Sequence, residues 1–141
     1  MNRPSIFLLV EDNEDDVFFM QRAFRGAQLK NPLHIVSDGE QAIAYLSGRN
    51  GYADRVKYPL PDMIFLDLKT PGLDGFDVLR WIRNDQKSDV RVAVLTSSPE
   101  EIDRQKARKL GADCYLLKPP EPAMVLNCCK LFNLNCHTKA P

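Results

Sequence analysis

Short apolar runs alternate with longer amphipathic stretches along the chain, and there are five of each. Each run is four or five residues long and mostly apolar, which is typical of strands buried on both faces of a parallel sheet. The predicted strands are residues 6–10, 33–36, 63–66, 92–95 and 114–117. Their alternation with helices predicts an α/β fold in which helices cross over between parallel strands.

Capping residues indicate where several helices begin and end. Ser37 precedes Glu40 by three residues, and Ser98 precedes Glu101 by the same spacing. Both pairs predict a capping box at a helix start. Pro122 suits the first turn of the last helix. The predicted helix ends carry turn residues, which are Asn31 with Pro32, Gly48, and Gly111.

Length and charge narrow the class of protein. A chain of 141 residues is typical of one domain, which we expect over 1–141, with a core at about 5–133 and a short tail at 134–141. Nineteen basic and nineteen acidic side chains cancel, so nucleic acid and anionic membranes are not predicted partners. The apolar run at 6–10 is too short for a membrane span or a signal peptide, which predicts a cytoplasmic protein.

The four cysteines do not form a recognisable metal or redox motif. None lies in a CxxC pair, and two are adjacent: Cys114, Cys128, Cys129 and Cys136. We therefore expect neither a disulfide framework nor a zinc site.

Acidic or reactive side chains directly follow four of the five predicted strands. They are Glu11 and Asp12, Asp67, Thr96, and Lys118. Because an open parallel sheet binds its ligand at the carboxyl ends of its strands, we expect these side chains to converge. Three carboxylates brought together repel one another, and a hard divalent cation relieves that repulsion. Oxygen ligands alone favour Mg²⁺ or Mn²⁺ over zinc.

Four short motifs resemble those of bacterial response-regulator receiver domains, the phosphoryl switches of two-component signalling. In chain order they are LLVEDN, FLDLKTPGLDG, VLTS and LLKP, and each lies at the end of a predicted strand. The resemblance covers nearly the whole chain. It implies a flavodoxin-like, doubly wound (βα)5 fold with the strand order 2-1-3-4-5.

The resemblance also implies roles for the residues at the strand ends. Asp67 would be the phosphoacceptor and nucleophile. The metal ligands would be Asp12, Asp67, the backbone carbonyl of Lys69, and Glu11 through a water molecule. The Lys118 ammonium would neutralise phosphoryl oxygens. Lys69 stands where many receivers carry methionine or asparagine, and its charge predicts slow loss of the phosphoryl group.

Thr96 and Tyr115 match the positions of the receiver switch. In the family the threonine hydroxyl contacts the phosphoryl group and draws in the loop after the fourth strand, and the aromatic side chain then turns inward. The output surface would therefore lie on the fourth helix, the fifth strand and the fifth helix. A cis peptide bond between Lys118 and Pro119 is also implied, because it would aim the ammonium inward.

The protein is predicted to be a phosphoacceptor switch and not an enzyme. No ATP-binding glycine loop is recognisable, so a separate sensor histidine kinase would donate the phosphoryl group, and an unidentified downstream protein would receive the signal. The segment 48–61 and the C-terminal extension resemble stand-alone receivers that partner bacterial phytochrome-type kinases. This implies a homodimer, formed through the fifth helix and residues 134–141. The segment 48–61 is predicted to be a solvated insertion, with a protein interface as the alternative.

Two other functions are compatible with part of the pattern. A phosphatase of the haloacid dehalogenase type also uses an aspartate after an apolar strand, but it needs a second aspartate where this chain has Lys69. A receiver fold can also serve as an interaction module that works without phosphorylation. The complete set of acids, together with Lys118, argues against that module.

Overall fold

Five parallel strands form one sheet in the computed structural model, which describes residues 3–137. The strands are β1 (Phe7–Val10), β2 (Leu33–Val36), β3 (Met63–Leu66), β4 (Arg91–Thr96) and β5 (Cys114–Leu117). The helices are α1 (Glu14–Gly26), α2 (Gly39–Ser47), α3 (Gly75–Arg80), α4 (Glu101–Lys109) and α5 (Pro122–Leu131), and α3 continues into a π-helical turn at Trp81–Asp85. Within residues 3–137, no helix has the length and apolar character needed to cross a membrane.

The strand order is β2-β1-β3-β4-β5, and all the pairings are parallel. The predicted flavodoxin-like fold is therefore confirmed. Each predicted strand begins and ends within one residue of the observed strand. The agreement follows from burial, because β1 and β3 are buried at every position and so consist of unbroken apolar runs.

Helices cover both faces of the sheet and bury two apolar clusters. On one face α1 and α5 pack over Phe7, Leu9 and Phe65, and the rings of Phe7 and Phe65 stack with centroids 5.8 Å apart. On the other face α2 and α3 pack over Leu8 and Ile64. Successive β1 side chains alternate between the two clusters, which is why the whole strand is apolar.

The predicted capping box at the start of α2 is wrong by one residue. The side chain of Asp38, and not that of Ser37, caps the helix by accepting the backbone N–H of Gln41 at 2.8 Å. The first residue of α2 packs closely on its surroundings, because a Cβ at Gly39 would lie 2.5 Å from the carbonyl oxygen of Leu73. Serine and aspartate are both good caps, so residue type alone could not separate them.

The predicted cap of α4 is also wrong. The helix begins at Glu101, three residues after Ser98, and no side chain caps it. The Ser98 hydroxyl is used in the preceding turn, where it accepts the Glu100 N–H at 3.3 Å and donates to Asp103 at 2.8 Å. Serine often forms such local turns in competition with helix capping.

The expectation of no disulfide is wrong, because Cys129 and Cys136 are joined. At the end of α5 the Leu134 N–H donates to the Cys129 carbonyl at 2.9 Å, and Asn133 takes a left-handed φ of 52°. This Schellman turn folds the chain back along the helix, which cysteine spacing does not reveal. The free cysteines are Cys114 and Cys128.

The chain after α5 packs against the amino-terminal end of the sheet. The Ser5 N–H donates to the carbonyl of Asn135 at 2.9 Å, and the Asn135 N–H donates to the Ser5 hydroxyl at 2.8 Å. The buried Asn31 amide donates to both of their carbonyls at 2.9 Å. It also accepts the His137 N–H at 2.7 Å. The rest of the predicted tail, 138–141, lies outside the described residues.

The long segment between α2 and β3 is attached to α2 by a few of its side chains. The rings of Tyr52 and Tyr58 lie 5.1 and 6.0 Å from that of Tyr45 in α2. Arg55 donates to backbone carbonyls near the end of the same helix. Many of its other residues face solvent as predicted, and Val56 is 94% exposed.

Candidate functional site

The carboxyl ends of β1 and β3 bring three carboxylates together. Val10 and Leu66 are paired in the sheet, so the residues that follow them, Glu11 and Asp67, are neighbours. One carboxylate oxygen each from Glu11, Asp12 and Asp67 lies within 4.8 Å of the other two. The structure thus brings together the three acids that the sequence predicted would converge.

The acids differ in their exposure to solvent. Glu11 is 2% exposed and Asp67 is 6% exposed, whereas Asp12 is open to solvent. Burial, together with the charge of Asp67, raises the pKa of Glu11 to about 7, although Lys118 opposes this shift. At neutral pH the Glu11 carboxyl is therefore partly protonated.

Lys118 follows β5 and reaches across to the acids. Its ammonium nitrogen lies 2.8 Å from Glu11 Oε1, 2.8 Å from Asp16 Oδ2 and 3.5 Å from Asp67 Oδ2. The peptide bond between Lys118 and Pro119 is cis, as the resemblance implied. Burial lowers the pKa of Lys118, but the surrounding carboxylates outweigh burial and raise it to about 12. The side chain is therefore a cation at neutral pH.

The acids fit a hard divalent metal ion. All three donors are carboxylate oxygens, the ligand type that Mg²⁺ and Mn²⁺ favour. Glu11 Oε1 is buried, and its close ion pair with Lys118 is not aligned as a hydrogen bond, so this oxygen lacks a hydrogen-bond donor. A metal ion or its bound water would satisfy such an oxygen. The Lys69 N–H donates to Asp67 Oδ1 at 3.3 Å, while the Lys69 side chain is exposed.

Close packing of α3 holds the backbone of Asp67 in place. The Gly75 N–H donates to the Leu68 carbonyl at 2.9 Å. A Cβ at Gly75 would lie 2.5 Å from the Asp67 carbonyl oxygen and 2.7 Å from the Leu68 Cα. Glycine is therefore required where the start of α3 meets the loop that carries Asp67.

Hydrogen bonds connect Thr96 to Tyr115 through the turn between them. Thr96 is 1% exposed, and its hydroxyl oxygen accepts the Ser98 N–H at 3.2 Å. The Ser98 carbonyl accepts the Tyr115 hydroxyl at 2.8 Å. In addition, the Thr96 carbonyl accepts the Lys118 N–H at 2.8 Å, which ties the ends of β4 and β5 together. The sequence predicted Thr96 and Tyr115, which lie at the two ends of this series of hydrogen bonds, but not the connecting role of Ser98.

Asp16 is the residue at this site that sequence reasoning missed. An acidic residue at a helix start is normally explained by the helix dipole, so it gives no separate signal. Asp16 is the third residue of α1, and helix side chains lean toward the amino terminus, which lets its carboxylate reach Lys118. The sequence carried no separate signal for this contact, because it depends on how α1 lies against the end of β5.

Comparison with known proteins assigns the chain to a family. The model of the response regulator receiver domain matches residues 7–129. The chain belongs to the response regulator receiver family. This receiver is 36% identical over 118 residues to response regulator Rcp1 of Synechocystis sp., and the match covers 83% of the receiver and 78% of Rcp1.

Solved structures of three relatives share the fold. The Mn²⁺-bound form of Rcp1 has a TM-score of 0.76 at 31% identity, covering 98% of this receiver and 100% of that chain. The phosphorylated cyanobacterial phytochrome response regulator RcpA also has a TM-score of 0.76 at 31% identity, covering 93% of this receiver and 92% of that chain. The bacteriophytochrome response regulator RtBRR has a TM-score of 0.81 at 33% identity, covering 94% of this receiver and 80% of that chain. The resemblance to phytochrome-associated receivers is therefore confirmed.

Proposed function

We propose that the receiver accepts a phosphoryl group on Asp67 from a sensor histidine kinase, with Mg²⁺ as the metal and Mn²⁺ as the alternative. The observation that carries this proposal is the cluster of Glu11, Asp12 and Asp67 oxygens within 4.8 Å of one another, beside the Lys118 ammonium. The Mn²⁺-bound Rcp1 and the phosphorylated RcpA support the metal and the modification in related proteins.

Each residue at the site has a separate role in this proposal. A carboxylate oxygen of Asp67 attacks phosphorus, and the kinase histidine leaves from the opposite side. The metal would be held by Asp12, Asp67, the Lys69 carbonyl, and Glu11 through water. Bound Mg²⁺ would neutralise charge on the carboxylates and phosphoryl oxygens. Lys118 donates to a phosphoryl oxygen, because its raised pKa keeps it charged.

Acetyl phosphate, a small phosphoryl donor, tests the acceptor directly. Incubation with acetyl phosphate and Mg²⁺ should add the mass of one phosphoryl group to the intact protein. EDTA and the variant Asp67→Asn should each abolish the adduct. Asp85→Asn changes an exposed aspartate at the end of the α3 segment and should leave it unchanged. A wild type that never gains the mass, and never binds beryllofluoride, would favour an interaction module that works without phosphorylation.

The hydrogen-bond chain through Ser98 supports a switch that acts on α4, β5 and α5. When the Thr96 side chain moves toward a phosphoryl oxygen, the Ser98 N–H that its hydroxyl accepts at 3.2 Å has to move with it or be released. The Ser98 carbonyl is the acceptor for Tyr115, so movement of this turn alters the position of the Tyr115 ring. That ring packs under Arg104 of α4. The contact would transmit the movement of Tyr115 to the output surface.

Fluorine NMR of 3-fluorotyrosine-labelled protein tests this switch. Beryllofluoride with Mg²⁺ should shift the Tyr115 resonance, which Tyr115→Phe identifies by its loss. Thr96→Ser keeps the hydroxyl and should keep the shift, whereas Thr96→Ala should lose it. A Tyr115 shift of wild-type size in Thr96→Ala would contradict the switch.

The relatives support a phytochrome-type histidine kinase as the phosphoryl donor. Such a kinase, labelled with radioactive ATP, should transfer its label to the receiver and not to Asp67→Asn. The cognate kinase should transfer its label faster than other kinases tested at equal concentration. Transfer from unrelated kinases alone would contradict this assignment. The cytoplasmic location that such transfer requires stays a prediction.

A homodimer, and the binding of an unidentified downstream protein, belong to the same proposal. Leu131 on α5 is 67% exposed, and Leu117 at the end of β5 is 41% exposed. β5 is an edge strand of the sheet. Apolar side chains in this position support a contact surface on α5 and β5.

A further inference from the structure

We propose that Asp16 is a positioning residue that holds the Lys118 ammonium in the unphosphorylated receiver and competes with the phosphoryl group for it. This inference rests on the proposed acceptor role of Asp67. It adds a fourth carboxylate to the site, and this carboxylate controls how readily the Lys118 ammonium can bind the phosphoryl group.

Hydrogen-bond geometry and distance together distinguish Asp16 from the other carboxylates around Lys118. The ammonium nitrogen lies 2.8 Å from Asp16 Oδ2, and this contact is a well-formed hydrogen bond. The proposed acceptor, Asp67, is farther away at 3.5 Å. The third neighbour, Glu11, is at 2.8 Å but is not aligned as a hydrogen bond. In this structure the lysine is therefore bound more directly to Asp16 than to Asp67.

The position of Asp16 follows from the start of α1. Asn13 caps the helix by accepting the Asp16 N–H at 3.0 Å, which makes Asp16 the third helical residue. Its side chain leans back toward the carboxyl edge of the sheet and is 26% exposed, while the Lys118 side chain is 12% exposed. Asp15, one residue earlier, is exposed and carries the same charge.

Competition follows from the number of donors and charges. An ammonium group has three N–H donors, and those given to carboxylates cannot also bind phosphoryl oxygens. Asp16 also adds a negative charge beside a site that must accept a doubly charged group. Phosphorylation therefore has to share the Lys118 donors with Asp16 and overcome repulsion from the Asp16 carboxylate.

The affinity for beryllofluoride, measured with saturating Mg²⁺ by fluorine NMR, tests this competition. Asp16→Asn should bind beryllofluoride roughly three- to tenfold more tightly, as expected for removing one partly buried ion pair. Asp15→Asn is the matched control, because it removes the same charge from the same helical turn without touching Lys118. Asp16→Glu keeps a carboxylate and should restore an affinity close to that of the wild type.

The ammonium itself gives a readout that a purely structural role for Asp16 would not move. In ¹⁵N-labelled protein without phosphodonor, the Lys118 side-chain resonance should shift, and its protons should exchange faster with water, in Asp16→Asn but not in Asp15→Asn. Thermal unfolding of all variants checks that the fold is intact.

Two results would overturn the role of Asp16 while leaving the acceptor proposal in place. One is beryllofluoride binding by Asp16→Asn that is weaker than wild type, since Asp16 would then support the phosphorylated state. The other is equal behaviour of Asp16→Asn and Asp15→Asn. If wild-type protein binds no beryllofluoride at all, the acceptor proposal and this inference both fail.

Discussion

Electrostatic interactions determine the charge states and the contacts of the single residues at the site. Glu11 and Asp67 are buried side by side, so both can be charged only next to a cation. Their positions, and that of Lys118, were predictable because each directly follows a strand and parallel strands end at one edge. The contribution of Asp16 was not predictable, because it depends on a contact between α1 and the end of β5.

Glu11 predicts a pH dependence of stability in protein kept free of metal with EDTA. Its pKa of about 7 in the folded protein exceeds its ordinary value of 4.5, so the folded state binds this proton more tightly than the unfolded state. The stabilisation is complete below pH 4.5 and is lost as the pH rises through 7. Urea denaturation should show this fall for wild type and not for Glu11→Gln. Parallel pH curves for the two proteins would contradict the prediction.

Lys69 predicts a long-lived aspartyl phosphate. A cation two residues after Asp67 can pair with the phosphoryl group and hinder attack by water. Lys69→Met should shorten the phosphoryl half-life roughly two- to fivefold, the range for an exposed ion pair. Loss of phosphoryl mass over time measures the half-life, and Lys30→Met, an exposed lysine at the other end of the sheet, is the control. An unchanged half-life in Lys69→Met would show that the charge has no such effect.

Among the elements, helix α5 shows what a local sequence pattern predicts and what it does not predict. Pro122 begins the helix as predicted, and Val125 and Cys128 face the core at the predicted helical spacing. The turn after the helix, with Asn133 in a left-handed conformation and Cys129 joined to Cys136, was not predicted. In α5, local pattern therefore predicted the start and the buried face but not the final turn.

The Cys129–Cys136 disulfide should contribute measurably to stability. Cross-linking residues separated by seven positions reduces the entropy of the unfolded chain, which corresponds to about 2–3 kcal/mol. Cys136→Ser should lower the free energy of unfolding by about that amount. Reductant should lower the wild type to the level of the variant and leave the variant unchanged. A wild type insensitive to reductant would mean that the Asn31 hydrogen bonds alone hold the tail.

At the scale of the whole molecule, the exposed large apolar side chains of residues 3–137 are spread over several elements. They are Phe18, Ile35, Val56, Leu60, Ile102, Leu117 and Leu131. Leu131 and Leu117 lie on α5 and β5, whereas Val56 lies on the segment between α2 and β3. The sequence predicted apolar positions, but exposure depends on what the neighbouring elements cover. Its exposure in the folded protein makes Leu131 the position on α5 at which to test the dimer.

The exposed side chain of Leu131 allows a test of whether the protein is a homodimer. If α5 forms the homodimer contact, light scattering of the wild type at high concentration should give about twice the monomer mass of 16.0 kDa. Leu131→Asp should return the mass to that of the monomer, because a charge would be buried in the contact. Val56→Asp, at a more exposed position away from α5, should leave the dimer intact. A monomeric wild type would exclude the dimer.

The sequence by itself determined the order of strands and helices, the α/β class and the acids at the strand ends. These features depend on burial periodicity and on neighbours along the chain, which local pattern encodes directly. Tertiary structure alone decided that Asp16 binds Lys118, that Cys129 joins Cys136, and that the segment after α2 packs on its aromatic side chains. Each of these contacts depends on how the folded elements are arranged around the sheet, and no local pattern specifies that arrangement.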